Sequence, residues 1–524
     1  MVQPSDLEEF FAPFRRNIIG RQQTFDSPFG KKEILYADWT ASGRAYGPIE
    51  ECIQQQIMPF LANTHTETTF TGSLMSKAYE AAKDIVKHHV HAQSDDVLIF
   101  CGSGMTAAVN KLQRLLGLRL PERLLDYVKK EDCFDPVVST GQAVTVPRCL
   151  EKYLSLDETL RPIVFVTHME HHSNQTSWLE TIATVEIIPS DANGDVDVDG
   201  FKDLLDQYKH RKNKIAAITA CSNVTGIQTP YHQIARLIHA YQGVCFVDFA
   251  CSAPYVDINM HPTEKGTHLD AIYFSPHKFL GGPGTAGVLI FNQKLYKNHI
   301  PDQPGGGTIL YSNPWKEHVY STDIEQREDG GTPPILQGIK VAMCIRLKEA
   351  MGVDNIRKRE DELLQIIFDR FSTMKQVHLL EGHYKNRLGV ISFLVEGVHY
   401  NLVVKQLNDR FGIQTRGGCS CAGTYGHVLL QVDARRSHEL LTSIQSGDHL
   451  SKPGWVRLSL HPTMTNAEME FILDAIEWTA SHSQEWIHEY TYDHEHNQFV
   501  VNGLKSQSSI SFDNWFTASH WVNS

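Results

Sequence analysis

Residues 271–282 read AIYFSPHKFLGG. Ala271 to Phe274 are apolar or aromatic and run straight into Ser275-Pro276-His277-Lys278, with two glycines shortly after. A continuous apolar run closed by turn residues fits a strand buried on both faces, rather than one alternating between core and water. The same texture recurs upstream in DDVLIFCGSG (95–104), RPIVFVTHMEHH (161–172), KIAAITACSNVTG (214–226) and VCFVDFACSA (244–253), each ending in small or polar residues. Between these runs, GMTAAVNKLQRLLG (104–117) and PYHQIARLIHAYQG (230–243) repeat apolar residues at the three- and four-residue spacing of a helix. The alternation predicts an α/β fold: a mostly parallel sheet covered by helices.

The texture changes at about residue 338. QGIKVAMCIRLKEAMG (337–352) reads as a long helix, and LGVISFLVEG (388–397) and GWVRLSLHP (454–462) read as strands flanking further helices. The expected organisation is an N-terminal segment (1–35), a large α/β domain (36–337), a smaller C-terminal α+β domain (338–480) and an extension (481–524) without an assigned fold or role. Residues 118–160 have no place in the strand pattern and read as an insertion. A chain of 524 residues exceeds what one hydrophobic core serves, which supports more than one domain.

Acids outnumber bases 61 to 48, for a formal charge of -13, and no run of lysines or arginines forms a nucleic-acid footprint. No stretch has the length of a membrane span, and the start MVQPSDLEEFFAPFRR lacks the pattern of a signal peptide. Ten cysteines without a secretory signal read as reduced thiols. These features lead to the expectation of a cytoplasmic enzyme of small-molecule chemistry, with no nucleic-acid or membrane partner.

In open α/β sheets the ligand lies beyond the carboxyl ends of the strands, where the polar residues of this chain collect. Gly104, Met105 and Thr106 stand at an expected helix start, where free amides and the helix dipole attract phosphate. His171 and His172 follow one strand and Asn223 another; each also reads as an ordinary turn residue. Asp248 ends a buried strand and needs a cationic partner, either an arginine of the fold or a ligand. Lys278 stands at the end of the next strand, where desolvation makes its amine a nucleophile able to form a Schiff base with a carbonyl. A phosphate cup, a carboxylate for a pyridine nitrogen and a lysine amine together specify pyridoxal 5'-phosphate.

From Tyr36 to about residue 480 the chain resembles the class V aminotransferase fold, a type I fold of pyridoxal phosphate enzymes, and within it the cysteine desulfurase and selenocysteine lyase branch. YADWTASG is similar to the family's opening YLDNAATT-type segment, SGMT to its SGAT phosphate turn, MEHHSNQTSW to MEHHANIVPW, and SPHK to SGHK. The resemblance implies that Thr106, Ser275 and His277 hold the phosphate and that His171 stacks on the ring. It further implies that Asn223 contacts the phenolic oxygen, Asp248 the ring nitrogen, and Lys278 the carbonyl carbon. EDGGTPP is similar to EAGTPN, which implies a homodimer in which Thr332 reaches the phosphate of the neighbouring site. WVRLSL resembles the segment whose arginine grips the substrate carboxylate, here Arg457. TRGGCSCAGTYGH is similar to the RxGxxCA loop, which puts Cys421 on the sulfur-accepting cysteine and Arg416 on the loop's arginine.

The implied reaction takes sulfur from L-cysteine, or a related amino acid, onto Cys421 as a persulfide and releases alanine, with a sulfur-acceptor protein as a possible partner. The alternative is another class V reaction, such as transamination, epimerisation or C–S cleavage, with Cys421 a bystander. A catalytically silent scaffold is disfavoured by the presence of both Lys278 and Asp248. The chain departs from the pattern at Cys251, where the family usually has glutamine or histidine, and at Cys419, where the branch commonly has histidine. No metal site is expected, because a C-x-C pair alone supplies too few ligands.

Overall fold

The computed structural model describes residues 5–64, 68–127, 158–503 and 512–518; most of the expected insertion at 118–160 lies outside the described residues. The five expected strands form, joined by two more, in one seven-stranded sheet. In chain order these are β1 (Asp96–Cys101), β2 (Ile163–Thr167), β3 (Thr184–Ile188), β4 (Lys214–Thr219), β5 (Val244–Asp248), β6 (Ala271–Phe274) and β7 (Gly287–Asn292). Their spatial order is β1-β7-β6-β5-β4-β2-β3. All neighbours from β6 through β3 pair in parallel, whereas β7 runs antiparallel to both β6 and β1. The carboxyl ends of β1, β2, β4, β5 and β6 therefore open on one edge of the sheet.

Burial on both faces accounts for the continuous apolar runs. Successive strand residues alternate between two hydrophobic clusters: Phe165, Ile218, Val247 and Ile272 pack on one side, and Val164, Ala217, Phe246 and Tyr273 on the other. The second cluster includes Val109 and Leu112 of the helix Met105–Leu115, which covers that face.

The C-terminal strands form a separate antiparallel sheet of β8 (Val377–Leu379), β9 (Val390–Val395), β10 (Arg416–Gly418) and β11 (Trp455–Ser459), in the order β8-β9-β11-β10. The long helix expected near 338 begins at Ile335 and ends at Met351, where Gly352 takes a positive φ of 74°. Two terminal regions pack onto this C-terminal sheet and its helices. Leu35–Tyr36 pairs in parallel with Ile413–Gln414, and Glu8 forms an ion pair with buried Arg359 at 3.2 Å. The helix Asn466–Trp486 runs past residue 480, and the hairpin Tyr490–Asp493/Gln498–Val501 buries Tyr490 and Phe499 against Leu402.

Candidate active site

The shared edge of the large sheet faces β10 and β11 across a cleft of about 230 Å³. Met105, Thr106, His171, Asn223, Asp248, Cys251, Ser275, His277, Lys278, Arg416, Cys421 and Arg457 all line it. Gly104 touches the same residues, as described below. Thr332 instead lines a neighbouring cavity behind the Gly102–Ser103 turn, which also touches His277.

The floor follows from strand register. Asp248 is the last residue of β5, opposite Thr219 on one side and Tyr273 on the other. Two residues past Tyr273 the chain turns at Ser275 into a 3₁₀ turn, Pro276–Lys278, that delivers Lys278 into the cleft. Burial, the largest effect, lowers the Lys278 pKa; Cys251 and Asp248 oppose it, and Arg457 and Arg416 add to it. The Asp248 carboxyl is pushed up to about 6 by burial, despite accepting a 2.8 Å bond from the Ala250 amide and the attraction of Lys278. Among the described residues no arginine pairs with Asp248, which leaves a ligand cation as the partner its position calls for.

At one end of the floor is the start of the helix Met105–Leu115. The Met105 amide donates to Ser275 Oγ at 2.8 Å, which leaves the hydroxyl hydrogen free to point elsewhere. The ring of His277 is anchored by Nδ1 donating to Ser103 O at 2.9 Å. A Cβ on Gly104 would stand 2.9 Å from Ser275 Oγ and 3.0 Å from His277 Cε1, so only glycine lets these groups converge. Thr106 Oγ1 shares a 2.7 Å hydrogen bond with Ser173 Oγ.

His171 caps the helix His172–Leu179, its Nδ1 accepting from the Ser173 amide at 3.1 Å. Burial first, and Lys278 second, hold its pKa down at about 3, so the ring is a neutral plane over the cleft. Cys251 directs its thiol to Ser222 O at 3.7 Å, so its one donor is spent on the backbone.

The opposite wall is a pair of arginines. Register sets Arg416 of β10 directly across from Arg457 of β11. Asp38 bridges them, Oδ2 accepting from Arg416 Nε at 2.9 Å and Oδ1 from Arg457 Nη2 at 2.7 Å. Arg457 also donates to Asn223 O at 3.1 Å, and its Nε is buried without a partner, as are Asn223 Oδ1 and Ser420 Oγ. Asp38 was not singled out in the sequence, although ILYADWT, a lone acid after an apolar run, carries the signal that pointed to Asp248.

The two thiols of the C-x-C pair separate here. Cys421 is exposed and lines the cleft, whereas Cys419 is half-buried and packs against the hydrophobic core. Ser420 and Cys421 both adopt left-handed φ angles, 52° and 58°, which non-glycine residues disfavour. Three hydrogen bonds hold them there. Asn223 Nδ2 donates to Ser420 O at 2.7 Å, the His172 amide to Cys421 O at 2.7 Å, and the Gly423 amide to His172 Nε2 at 2.9 Å. His172 thus grips the loop from both its backbone and its ring, a role invisible in the sequence.

The residues fit pyridoxal phosphate: a buried carboxyl without an arginine partner for a ring nitrogen, a half-buried amine opening on the cleft for a carbonyl, and a glycine-lined helix start for a phosphate. They define a site of the fold-type I kind, at the strand ends of an α/β sheet. Comparison with known proteins agrees. The family described as Aminotransferase class-V matches residues 139–472, and the chain belongs to that family. The chain is similar to a probable cysteine desulfurase of Halalkalibacterium halodurans, 28% identical over 436 residues, covering 82% of this chain and 94% of that protein. A probable cysteine desulfurase of Staphylococcus aureus (strain N315) is 27% identical over 401 residues, covering 76% and 85%. Among solved structures, the cysteine desulfurase CsdA of Escherichia coli shares the fold with a TM-score of 0.66 and 18% identity, covering 90% of this chain and 98% of that one. A cysteine desulfurase from Thermococcus onnurineus NA1 shares it with a TM-score of 0.63 and 22% identity, covering 86% and 95%.

Proposed function

We propose that the protein is a pyridoxal phosphate-dependent cysteine desulfurase, which moves sulfur from L-cysteine to Cys421 and releases L-alanine. The observation that carries this reading is the shared cleft: the amine of Lys278, the carboxyl of Asp248, the arginine pair and the exposed thiol of Cys421 line one cavity. When bound, the cofactor supplies an electron sink for the carbanion at the substrate's Cα. With the cofactor bound, Thr106, Ser275, which the Met105 amide orients, and His277 would hold its phosphate, Asp248 would serve as the carboxylate for its ring nitrogen, His171 would cover its ring and Asn223 would meet its phenolic oxygen.

Arg457 and Arg416 receive the substrate carboxylate, a task suited to the planar fork of Arg457 with its unpartnered Nε. Lys278, made less basic by burial, takes the Cα proton. Cys421, as thiolate, attacks the substrate's sulfur: an S–S bond forms, the Cβ–S bond breaks, and its electron pair stays on carbon and takes up a proton. The sulfane sulfur then leaves Cys421 to a thiol acceptor, with a sulfur-acceptor protein the natural partner for a half-exposed loop. A homodimer in which Thr332 completes the neighbouring phosphate site, the division into a large domain (36–337) and a small one (338–480), and a cytoplasmic location belong to the same reading. No described helix is long and apolar enough to cross a membrane.

The holoenzyme incubated with L-cysteine and a reducing thiol should release alanine and sulfide in equal amounts. Formation of a keto acid in place of alanine would assign the cleft to a different class V reaction.

A further inference from the structure

A second cleft, about 600 Å³, lies behind the substrate-carboxylate wall, between the N-terminal segment and the helix Asn466–Trp486. In a chain of net charge -13 it gathers six cations against two acids, Glu33 and Glu468. Two of the cations are matched, Arg21 by Glu468 at 2.9 Å and Arg410 by Glu489. Arg15, Lys31, Lys32 and Arg44 form no ion pair among the described residues. Burial, the largest effect, holds Arg15 below its usual pKa, with Glu468 and Glu8 opposing it and Arg21 and Arg359 adding to it; Arg15 donates to Thr463 O at 3.1 Å and Arg44 to Ile19 O at 3.2 Å, backbone partners that leave their charges unneutralised. The floor is aromatic: Trp39, buried and stacked on His461 at 4.0 Å, lies beside Tyr36, whose ring carries the Arg44 guanidinium at 5.0 Å.

We propose that this cleft binds a nucleotide-sized aromatic phosphate, the phosphate neutralising the unpaired cations and the ring stacking on the Arg44 guanidinium that lies over Tyr36. The volume is that of a small-molecule site, and several unpaired cations suit a dianion better than a monoanion. The segment that makes the floor also makes the catalytic wall: Tyr36 and Trp39 face this cleft, while Asp38, between them, turns the other way to hold Arg416 and Arg457. A ligand that pins the floor therefore biases the arginine pair, and the site acts as an effector site for the substrate carboxylate. This second half rests on the desulfurase reading; the binding itself does not.

Calorimetric titration of the holoenzyme, its catalytic phosphate site filled by the cofactor, uses AMP and 1-naphthyl phosphate as probes, with inorganic phosphate and adenosine as controls. The expected result is one-to-one saturable binding of at least one probe, tighter than either control. The double substitution Lys31→Glu/Lys32→Glu, at the rim and away from the catalytic residues, should weaken it about tenfold or more. The absence of saturable binding, or equal affinity in the double variant, would overturn the site. Saturating probe should change the KM for L-cysteine in the wild type and not in the double variant; an unchanged KM in the wild type would overturn the coupling.

Discussion

Asp248 ends β5 and Lys278 follows β6 by one turn, and these two parallel strands are buried from Phe246 to Asp248 and from Ala271 to Phe274, whereas Cys421 stands on a loop that closes the same cleft from the other side. The floor derives its geometry from sheet hydrogen bonds and two-faced packing, and it needs no strain. The loop holds two consecutive left-handed non-glycine residues, a cost on the order of 1 kcal/mol each, offset by bonds from Asn223 and His172. The difference follows from the work assigned to each. On the proposed function, the floor's groups hold a cofactor and gain from rigidity, whereas the Cys421 thiol collects sulfur inside the cleft, hands it on outside and needs a perch that can let go.

Five substitutions probe this contrast. Lys278→Ala should have the largest effect, a loss of turnover of at least about a thousandfold, together with loss of the visible absorbance that the bound cofactor owes to the lysine. A variant with the wild-type spectrum would break the account of the floor. On the loop, Cys421→Ser should lower sulfide release by about a hundredfold or more, whereas Cys419→Ser, which removes a thiol packed against the core, should change it less than about threefold. If the two effects are reversed, the perch belongs to the other thiol.

His172→Ala keeps the backbone bond to Cys421 but loses the ring's bond to Gly423. Turnover should fall about tenfold with the cofactor's absorbance unchanged, and iodoacetamide should alkylate Cys421 faster than in the wild type. Equal alkylation rates would mean that the clamp does not hold the loop.

The last effect is one of stability rather than turnover and concerns the floor without its cofactor. The folded Asp248 carboxyl, at about 6, binds its proton more tightly than the unfolded chain, whose ordinary value is 3.8. The stabilisation this gives is therefore complete below pH 3.8 and lost as pH rises through about 6. Asp248→Asn keeps an oxygen for the Ala250 amide and carries no charge. The cofactor-free variant should therefore exceed the cofactor-free wild type at pH 8 by up to about 3 kcal/mol, with the gap closing by pH 4. Thermal unfolding across that range measures it; a gap that persists at pH 4 would mean that the effect is not the proton's.

Much of the floor was legible because it lies on elements that announce themselves. AIYF, VCFVD and IVFVT are apolar without alternation, and a polar residue at the end of such a run has few places to be except the working edge of a sheet. The direction of β7 was not legible, since GVLIFN has the same texture as the parallel strands of the sheet and texture does not encode direction. Nor was β3, an edge strand with Ile187 exposed, whose residues are only partly apolar because only part of it is buried. The hairpin at 490–501 reads as polar tail because it rests on a surface helix by a few side chains.

The sequence by itself determined the α/β class and the strand-end residues and, through Lys278 and Asp248, pointed to the cofactor proposed above, because those depend on local runs of burial and on what must follow them. Only the tertiary structure decided which of Cys419 and Cys421 opens on the cleft, that Asp38 bridges Arg416 and Arg457, and that His172 grips the loop. These contacts join positions hundreds of residues apart, and their geometry is set by the packing of one sheet against another rather than by any local pattern.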